Sequence, residues 1–251
     1  MRQIFILIAT ILVISGCSFK DNTAVVSESN KDGVINNDGE VIVKPIYKKV
    51  YNFTTVEDNN YSHPHYINLH WLHIDDKEYA VVKNIDNKLG IIDKDGDLKL
   101  KAIFDSIGQF FNGYAKVEIA GKYGLINEDF EVVLKPIYDE VRSVIDGSII
   151  VKNYTKNGQA KYACLDTDMD MVASFDYDMI YLSNEERMRI VKDNKWGFMD
   201  TDCKVTVEPK YSFVDDYSRG IARVKADNLW SYVDLDGDEI TPKSFTDADN
   251  F

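Results

Sequence analysis

Short runs of alternating apolar and polar residues, each closed by a polar turn, recur along most of the chain. Gly113-Tyr114-Ala115-Lys116-Val117-Glu118 and Gly220-Ile221-Ala222-Arg223-Val224-Lys225 alternate with period two, the signature of a strand with one face buried. A polar pair such as Asn194-Lys195 follows, then a second short strand such as Trp196-Gly197-Phe198-Met199. A turn comes next, as in Asn37-Asp38-Gly39, Lys94-Asp95-Gly96 and Leu235-Asp236-Gly237. A third strand then runs through segments such as Val132 to Tyr138. In these turns Asp hydrogen-bonds its own backbone and Gly accepts positive φ. Pro45, Pro136, Pro209 and Pro242 fit a strand end or edge, where no amide donor is needed.

These segments are copies of one unit. Gly33, Gly90, Gly124, Ala163, Gly197 and Ser231 are six small anchors, each followed by two apolar residues. Three positions after each anchor stands Asn36, Asp93, Asn127, Asp166, Asp200 or Asp234. Five after it stands Asp38, Asp95, Asp129, Asp168, Asp202 or Asp236. Fourteen after it stands an aromatic: Tyr47, Phe104, Tyr138, Tyr177, Tyr211 or Phe245. A further aromatic follows at twenty in four units (Phe53, Phe110, Tyr217, Phe251), where the others have Val144 and Ser183. Fixed self-similarity at about 34 residues identifies a repeat architecture whose modules bury their apolar faces on one another. The expected fold is all-β: six tandem antiparallel β-meander repeats in one array from Thr23 to Phe251. An open, curved, β-solenoid-like stack is favoured, with a six-bladed β-propeller as the alternative.

Lys195-Trp196-Gly197-Phe198-Met199-Asp200, with Glu208-Pro209-Lys210-Tyr211 and Gly220 to Val224 behind it, resembles the WG (KWG) repeat of bacterial proteins. Gly121 to Asn127 and Lys135 to Asp139 match it with Tyr for Trp. The resemblance covers nearly all of the chain after the leader. It implies tandem β-hairpin modules acting as interaction surfaces, with no shared enzymatic activity.

The first residues read as an address. Met1-Arg2-Gln3 is a charged start, Ile4 to Ile14 is an apolar run too short to span a bilayer, and small residues follow it. Ile14-Ser15-Gly16-Cys17 resembles the lipobox of bacterial lipoproteins. That resemblance implies a signal peptide over 1–16, lipidation at Cys17, and a tether over 17–22. Ser18 to Asn22, fully extended, reach roughly 17 Å. The expected location is the cell envelope, and in a double-membraned host the outer membrane.

The anchors are 34 residues apart in three of five gaps, 39 in one, and 57 between Gly33 and Gly90. The excess forms an insert over about 54–78 holding every histidine of the chain: His63, His65, His70 and His73. Tyr66, Trp71, Asp75 and Asp76 stand among and after them. An exposed recognition hairpin, Tyr66 to Ile74 pairing with Tyr79 to Lys83, is the favoured reading. Zinc or copper ligation by the four histidines is the rival. In a strand His65 and His73 lie roughly 26 Å apart and His70 faces away, which weakens it.

Composition narrows the function classes. Lys and Arg total 29 against 42 Asp and Glu, a formal charge of −13, which becomes −14 once Arg2 leaves with the leader. So acidic a body does not suit nucleic acid, would be repelled by anionic headgroups, and favours a cationic partner. The recurring Asp pairs lack EF-hand spacing and are explained as turn residues. Cys164 and Cys203 stand at different unit positions and are read as free thiols, with a disulfide in an exported protein as the alternative. Trp196 and Trp230 are read as core aromatics, with a sugar-stacking stripe as the alternative. No nucleophile elbow, phosphate loop or His-Glu helix motif is present, and no cofactor is expected. The sequence therefore points to a lipid-anchored, non-enzymatic interaction scaffold whose partner is a protein or another envelope component.

Overall fold

The computed structural model describes residues 23–51, 79–143, 147–182, 185–241 and 244–249. The fold is all-β, in small antiparallel sheets. The first holds β1 (Thr23–Glu28), β2 (Lys31–Asn36) and β3 (Val41–Tyr47). The second holds β4 (Lys49–Val50), β5 (Tyr79–Lys83), β6 (Leu89–Asp93) and β7 (Leu98–Phe104). The third is β8 (Ser106–Phe111), β9 (Tyr114–Ile119), β10 (Lys122–Asn127) and β11 (Val132–Tyr138). The fourth is β12 (Glu140–Ser143), β13 (Ile149–Tyr154), β14 (Ala160–Leu165) and β15 (Met171–Tyr177). The fifth is β16 (Met179–Tyr181), β17 (Arg187–Lys192), β18 (Lys195–Asp200) and β19 (Val205–Tyr211). The sixth is β20 (Phe213–Val214), β21 (Ile221–Ala226) and β22 (Leu229–Asp234).

Each anchor lies on the second strand of its unit, as the repeat predicts. The three-stranded meander is incomplete, however. After the aromatic at fourteen the chain crosses to the next sheet and adds a short strand beside that sheet's first one, as β4 does on β5 and β20 on β21. The apolar residue at seventeen anchors this strand. Val50, Ile107, Val141, Ile180 and Val214 are all buried.

The paired apolar residues after each anchor point to opposite faces of their sheet. Ile91 packs with Val117 and Ile126 of the third sheet, while its neighbour Ile92 packs with Val34 and Val43 of the first. Phe198 faces Val224 and Val233 of the sixth sheet, and Met199 faces Ile150 and Cys164 of the fourth. Such inner sheets are buried on both faces, so the core lies between successive sheets. The chain divides into two compact units, Met1–Pro136 and Ile137–Phe251, and within each the sheets share cores in this way.

The anchor is small because the third strand bulges against it. In β18 and β19 the pairs Trp196↔Tyr211 and Phe198↔Val207 bracket a register shift opposite Gly197. A Cβ on Gly197 would stand 2.3 Å from the Val207 carbonyl oxygen and 2.8 Å from the Pro209 nitrogen. Pro45, Pro136 and Pro209 sit inside their third strands at this bulge, on the outer strand of the sheet, rather than at the strand's end.

The turn glycines take the predicted positive φ, but the side chain that bonds the turn backbone is that of position three rather than of the Asp beside the glycine. Asn36 Oδ1 accepts from the amides of Asp38 and Glu40, and Asp234 Oδ1 from those of Asp236 and Asp238. The residue at six takes positive φ in every unit, at Gly39, Gly96, Phe130, Met169, Cys203 and Gly237. Where it is not glycine its side chain can reach the preceding sheet. Phe130 packs edge-on to Tyr79 at 4.7 Å. Cys203 is bonded to Cys164, with Cα atoms 5.7 Å apart. The expectation of free thiols is therefore corrected: position six of the fifth unit meets position one of the fourth.

Candidate interaction surface

Cys17, the histidines His63, His65, His70 and His73, and the insert residues Tyr66, Trp71, Asp75 and Asp76 lie outside the described residues. The recurring acids lie within them, and the side chains at position three are engaged in the turns. The Lys88 ammonium, hydrogen-bonded to Asp105, holds that carboxyl below its usual range, and Lys161 does the same for Asp178. Burial would raise Glu140, but Arg142 and Lys152 outweigh it and hold its pKa down. Among the described residues no group of three or more His, Cys, Asp or Glu side chains is placed to hold a metal. Among them no helix is long and apolar enough to cross a membrane.

The feature that stands out is a row of rings in the second compact unit. Tyr181 on β16 stacks on Trp196 of β18 at 5.6 Å and 14°. Trp196 meets Phe213 of β20 at 6.0 Å, and Phe213 meets Trp230 of β22 edge-on at 6.0 Å. The guanidinium of Arg189, opposite Tyr181 in the ladder, lies 5.2 Å from that ring and 5.9 Å from Trp196. Arg223 lies 4.2 Å from Trp230, and the Lys225 ammonium 4.7 Å from it. Cations over aromatic faces are attracted by the ring quadrupole, by about 0.5–1 kcal/mol at partly exposed sites.

Both arginines are fixed from behind. Asp215 receives Nε and a terminal nitrogen of Arg223 at 2.7 Å, and the other terminal nitrogen donates to the Ala248 carbonyl. Asp216 pairs with Arg189 at 2.7 Å. The row is thus rigid and close to neutral, and Phe213 at its centre is 37% exposed.

The sequence reading of Trp196 and Trp230 as core aromatics is corrected. Both are half-buried; Trp196 backs onto the core of Phe198, Val207 and Tyr211 from its margin. An indole, with a large face and one polar N–H, suits such a boundary. The signal was in the repeat: a cation eight before the anchor accompanies an aromatic one before it. Arg189 pairs so with Trp196, Arg223 with Trp230, and Lys116 with Tyr123 at 5.2 Å.

Comparison with known proteins agrees with the repeat. The family model described as the WG containing repeat matches residues 33–58, 90–123, 123–154, 162–196 and 196–230. No match was found among curated proteins. Solved structures with similarity include a eukaryotic initiation factor, at 8% identity and a TM-score of 0.35, covering 89% of this chain and 66% of that one. The Dos1 propeller matches at 13% identity and 0.28, covering 62% of this chain and 52% of that one. The WD40 domain of SCAP from fission yeast matches at 12% and 0.25, covering 67% and 53%. The chain thus spans about two thirds of the first and about half of the other two.

Proposed function

The chain belongs to the WG-containing repeat family, and from that premise we propose that it is a non-enzymatic protein-interaction scaffold, anchored through Cys17 in the bacterial cell envelope. The observation that carries the reading is the row Tyr181, Trp196, Phe213 and Trp230 with Arg189 and Arg223. Tryptophan, tyrosine and arginine held rigid at a partly exposed margin make up the composition that dominates binding energy at protein interfaces. A rigid row loses little conformational entropy on docking, which leaves more of its contact energy for affinity.

The address is supported by the leader and by the Cys164–Cys203 disulfide, since such bonds persist in oxidising compartments outside the cytosol. Two experiments test the two halves separately. Radiolabelled palmitate should be incorporated by the full chain in a bacterial host and not by Cys17→Ser. Envelope proteins crosslinked to the wild type should be lost from a Trp196→Ala/Trp230→Ala variant that keeps its thermal midpoint within a few degrees. An unchanged set of crosslinked proteins would remove the row from the interaction.

A further inference from the structure

The body is acidic overall, yet one margin of it is not. The exposed positions of β3 include Lys44 and Ile46; those of β7 include Lys99, Lys101 and Ile103; those of β11 include Lys135 and Ile137. No acid stands among them. Ile46, Ile103 and Ile137 are 55%, 48% and 57% exposed. Lys44, Lys101 and Lys135, eleven after their anchors, are exposed, and none of the three pairs with an acid among the described residues. Several other lysines are paired, as Lys88 is with Asp105, Lys99 with Asp93 and Lys161 with Asp178.

The motif Lys-x-Ile therefore occurs in the first three units alone. At the same positions the fourth has Ser174 and Asp176, and the fifth Glu208 and Lys210. The strands carrying it follow one another in the fold. The turn before β7 lies on β3, where a Cβ at Gly96 would touch Val43 at 2.8 Å. The turn before β11 places Phe130 in the core that Leu100 and Phe104 of β7 share.

We propose that this margin of β3, β7 and β11 rests on an anionic lipid surface, the aliphatic side chains entering the headgroup layer and the lysines pairing with phosphate. Two observations favour a bilayer over a protein. The margin is aliphatic and cationic, the composition of interfacial membrane contacts. Pro45 and Pro136 remove amide donors from two of its three edges, which hinders strand addition by a polypeptide. The inference rests on the proposed anchor: the first described strand begins at Thr23, six residues past Cys17, in the sheet that also contains β3. A tether so short keeps that sheet within roughly 20 Å of the lipid. The repulsion expected from net charge is then local to the other faces.

The test uses the chain from Ser18 onward, which lacks the lipid and loses only residues outside the described fold. Its sedimentation is measured with vesicles of about 40% phosphatidylglycerol in phosphatidylcholine, at low and high salt. Binding is expected at low salt and should weaken with salt. Each lysine near an anionic surface contributes about a fivefold change in partition, so Lys44→Gln/Lys101→Gln/Lys135→Gln should lose roughly a hundredfold. Ile46→Ser/Ile103→Ser/Ile137→Ser should lose binding at both salts. Lys204→Gln/Lys210→Gln/Lys225→Gln, with the same change in charge on the fifth and sixth sheets, should change it by no more than about twofold. Absence of wild-type binding at low salt, or equal losses in the two lysine triples, overturns the proposal. So does recovery of a crosslinked protein that depends on the three isoleucines when vesicles are ignored. Failure of palmitate labelling would instead count against the anchor alone, because these vesicles are tested without it.

Discussion

Replacing Gly197 by alanine is the sharpest probe of the repeat. Elsewhere such a change stabilises by about 0.4–1 kcal/mol, because alanine restricts the unfolded chain. Here the added methyl would stand 2.3 Å from the Val207 carbonyl oxygen, 2.8 Å from the Pro209 nitrogen and 2.9 Å from the Glu208 carbonyl carbon. All three are backbone atoms held in a bulged ladder between two buried faces, so no side-chain rotation relieves the overlap. Overpacking of this kind costs about 1–3 kcal/mol, and rigid neighbours place it at the upper end. Less the unfolded-state gain, the net loss is about 2 kcal/mol. For a body of this size that lowers the thermal midpoint by about 4–8 °C. The assay is a thermal melt followed by circular dichroism, repeated in urea. Gly39→Ala is the companion, with nothing within 4 Å of its Cβ but a φ of +80°, and should lose about 1–2 kcal/mol by strain alone. A Gly197→Ala protein as stable as the wild type would refute the account of the anchor as a contact with the bulge.

Other perturbations follow from the same geometry. Cys164→Ala/Cys203→Ala opens a 39-residue separation and should cost up to about 4 kcal/mol by chain entropy, read as the urea midpoint with and without reductant; equal midpoints would deny the bond a stabilising role. Phe130→Ala keeps the positive φ but empties the slot beside Tyr79 and should cost about 3–5 kcal/mol. Asp105 and Asp178 are held low by Lys88 and Lys161. Their contribution is therefore complete above about pH 4 and fades as pH falls through their lowered values. Burial raises Tyr211 and Tyr217, so their contribution is complete below about pH 10 and fades above it. Thermal midpoints across pH should form a plateau with these two shoulders, and a midpoint still rising above pH 10 would contradict the burial of Tyr217.

Much of this architecture was legible in the sequence because a sheet buried on both faces leaves little freedom. Ile91-Ile92 and Phe198-Met199 are apolar pairs because each residue serves a different neighbouring sheet, and the anchor before them is small because the bulge presses on it. The fourth strand was missed although Val50, Ile107, Val141, Ile180 and Val214 recur at seventeen. A strand as short as Lys49–Val50 shows no alternation to detect. The disulfide was ranked below free thiols for a related reason. Position six was understood as a turn residue, where glycine is natural, yet in Phe130 and Cys203 the same positive φ directs a side chain into the preceding sheet. The aromatic row required pairing a cation seven residues before a ring, a spacing that has meaning only once both strands are known to be adjacent. Cys17 and the histidine insert, the most chemical features of the sequence, lie outside the described residues.

Burial on both faces also constrains where function can be located. A residue directed into either side of an inner sheet meets another sheet, so recognition is confined to strand margins and turns. The turns are occupied by their own hydrogen bonds: in five units one side-chain oxygen at position three accepts two backbone amides, and Asp200 accepts that of Lys204. That leaves the margins, and the two compact units treat theirs differently. The first repeats Lys-x-Ile on its outer strands. The second has Ser174 and Asp176, then Glu208 and Lys210, in its place and gathers Tyr181, Trp196, Phe213 and Trp230 with the arginines beside them. A repeat that differed only by drift would vary its margins at random from unit to unit. Here the change falls between β11 and β15, close to where the chain divides, which is the pattern expected if one half serves the lipid surface and the other a protein. Exchanging the two motifs tests that division: Lys44→Glu/Ile46→Lys with Glu208→Lys/Lys210→Ile should weaken vesicle binding through β3 while leaving proteins crosslinked through Trp230 in place. Loss of both together would refute the division.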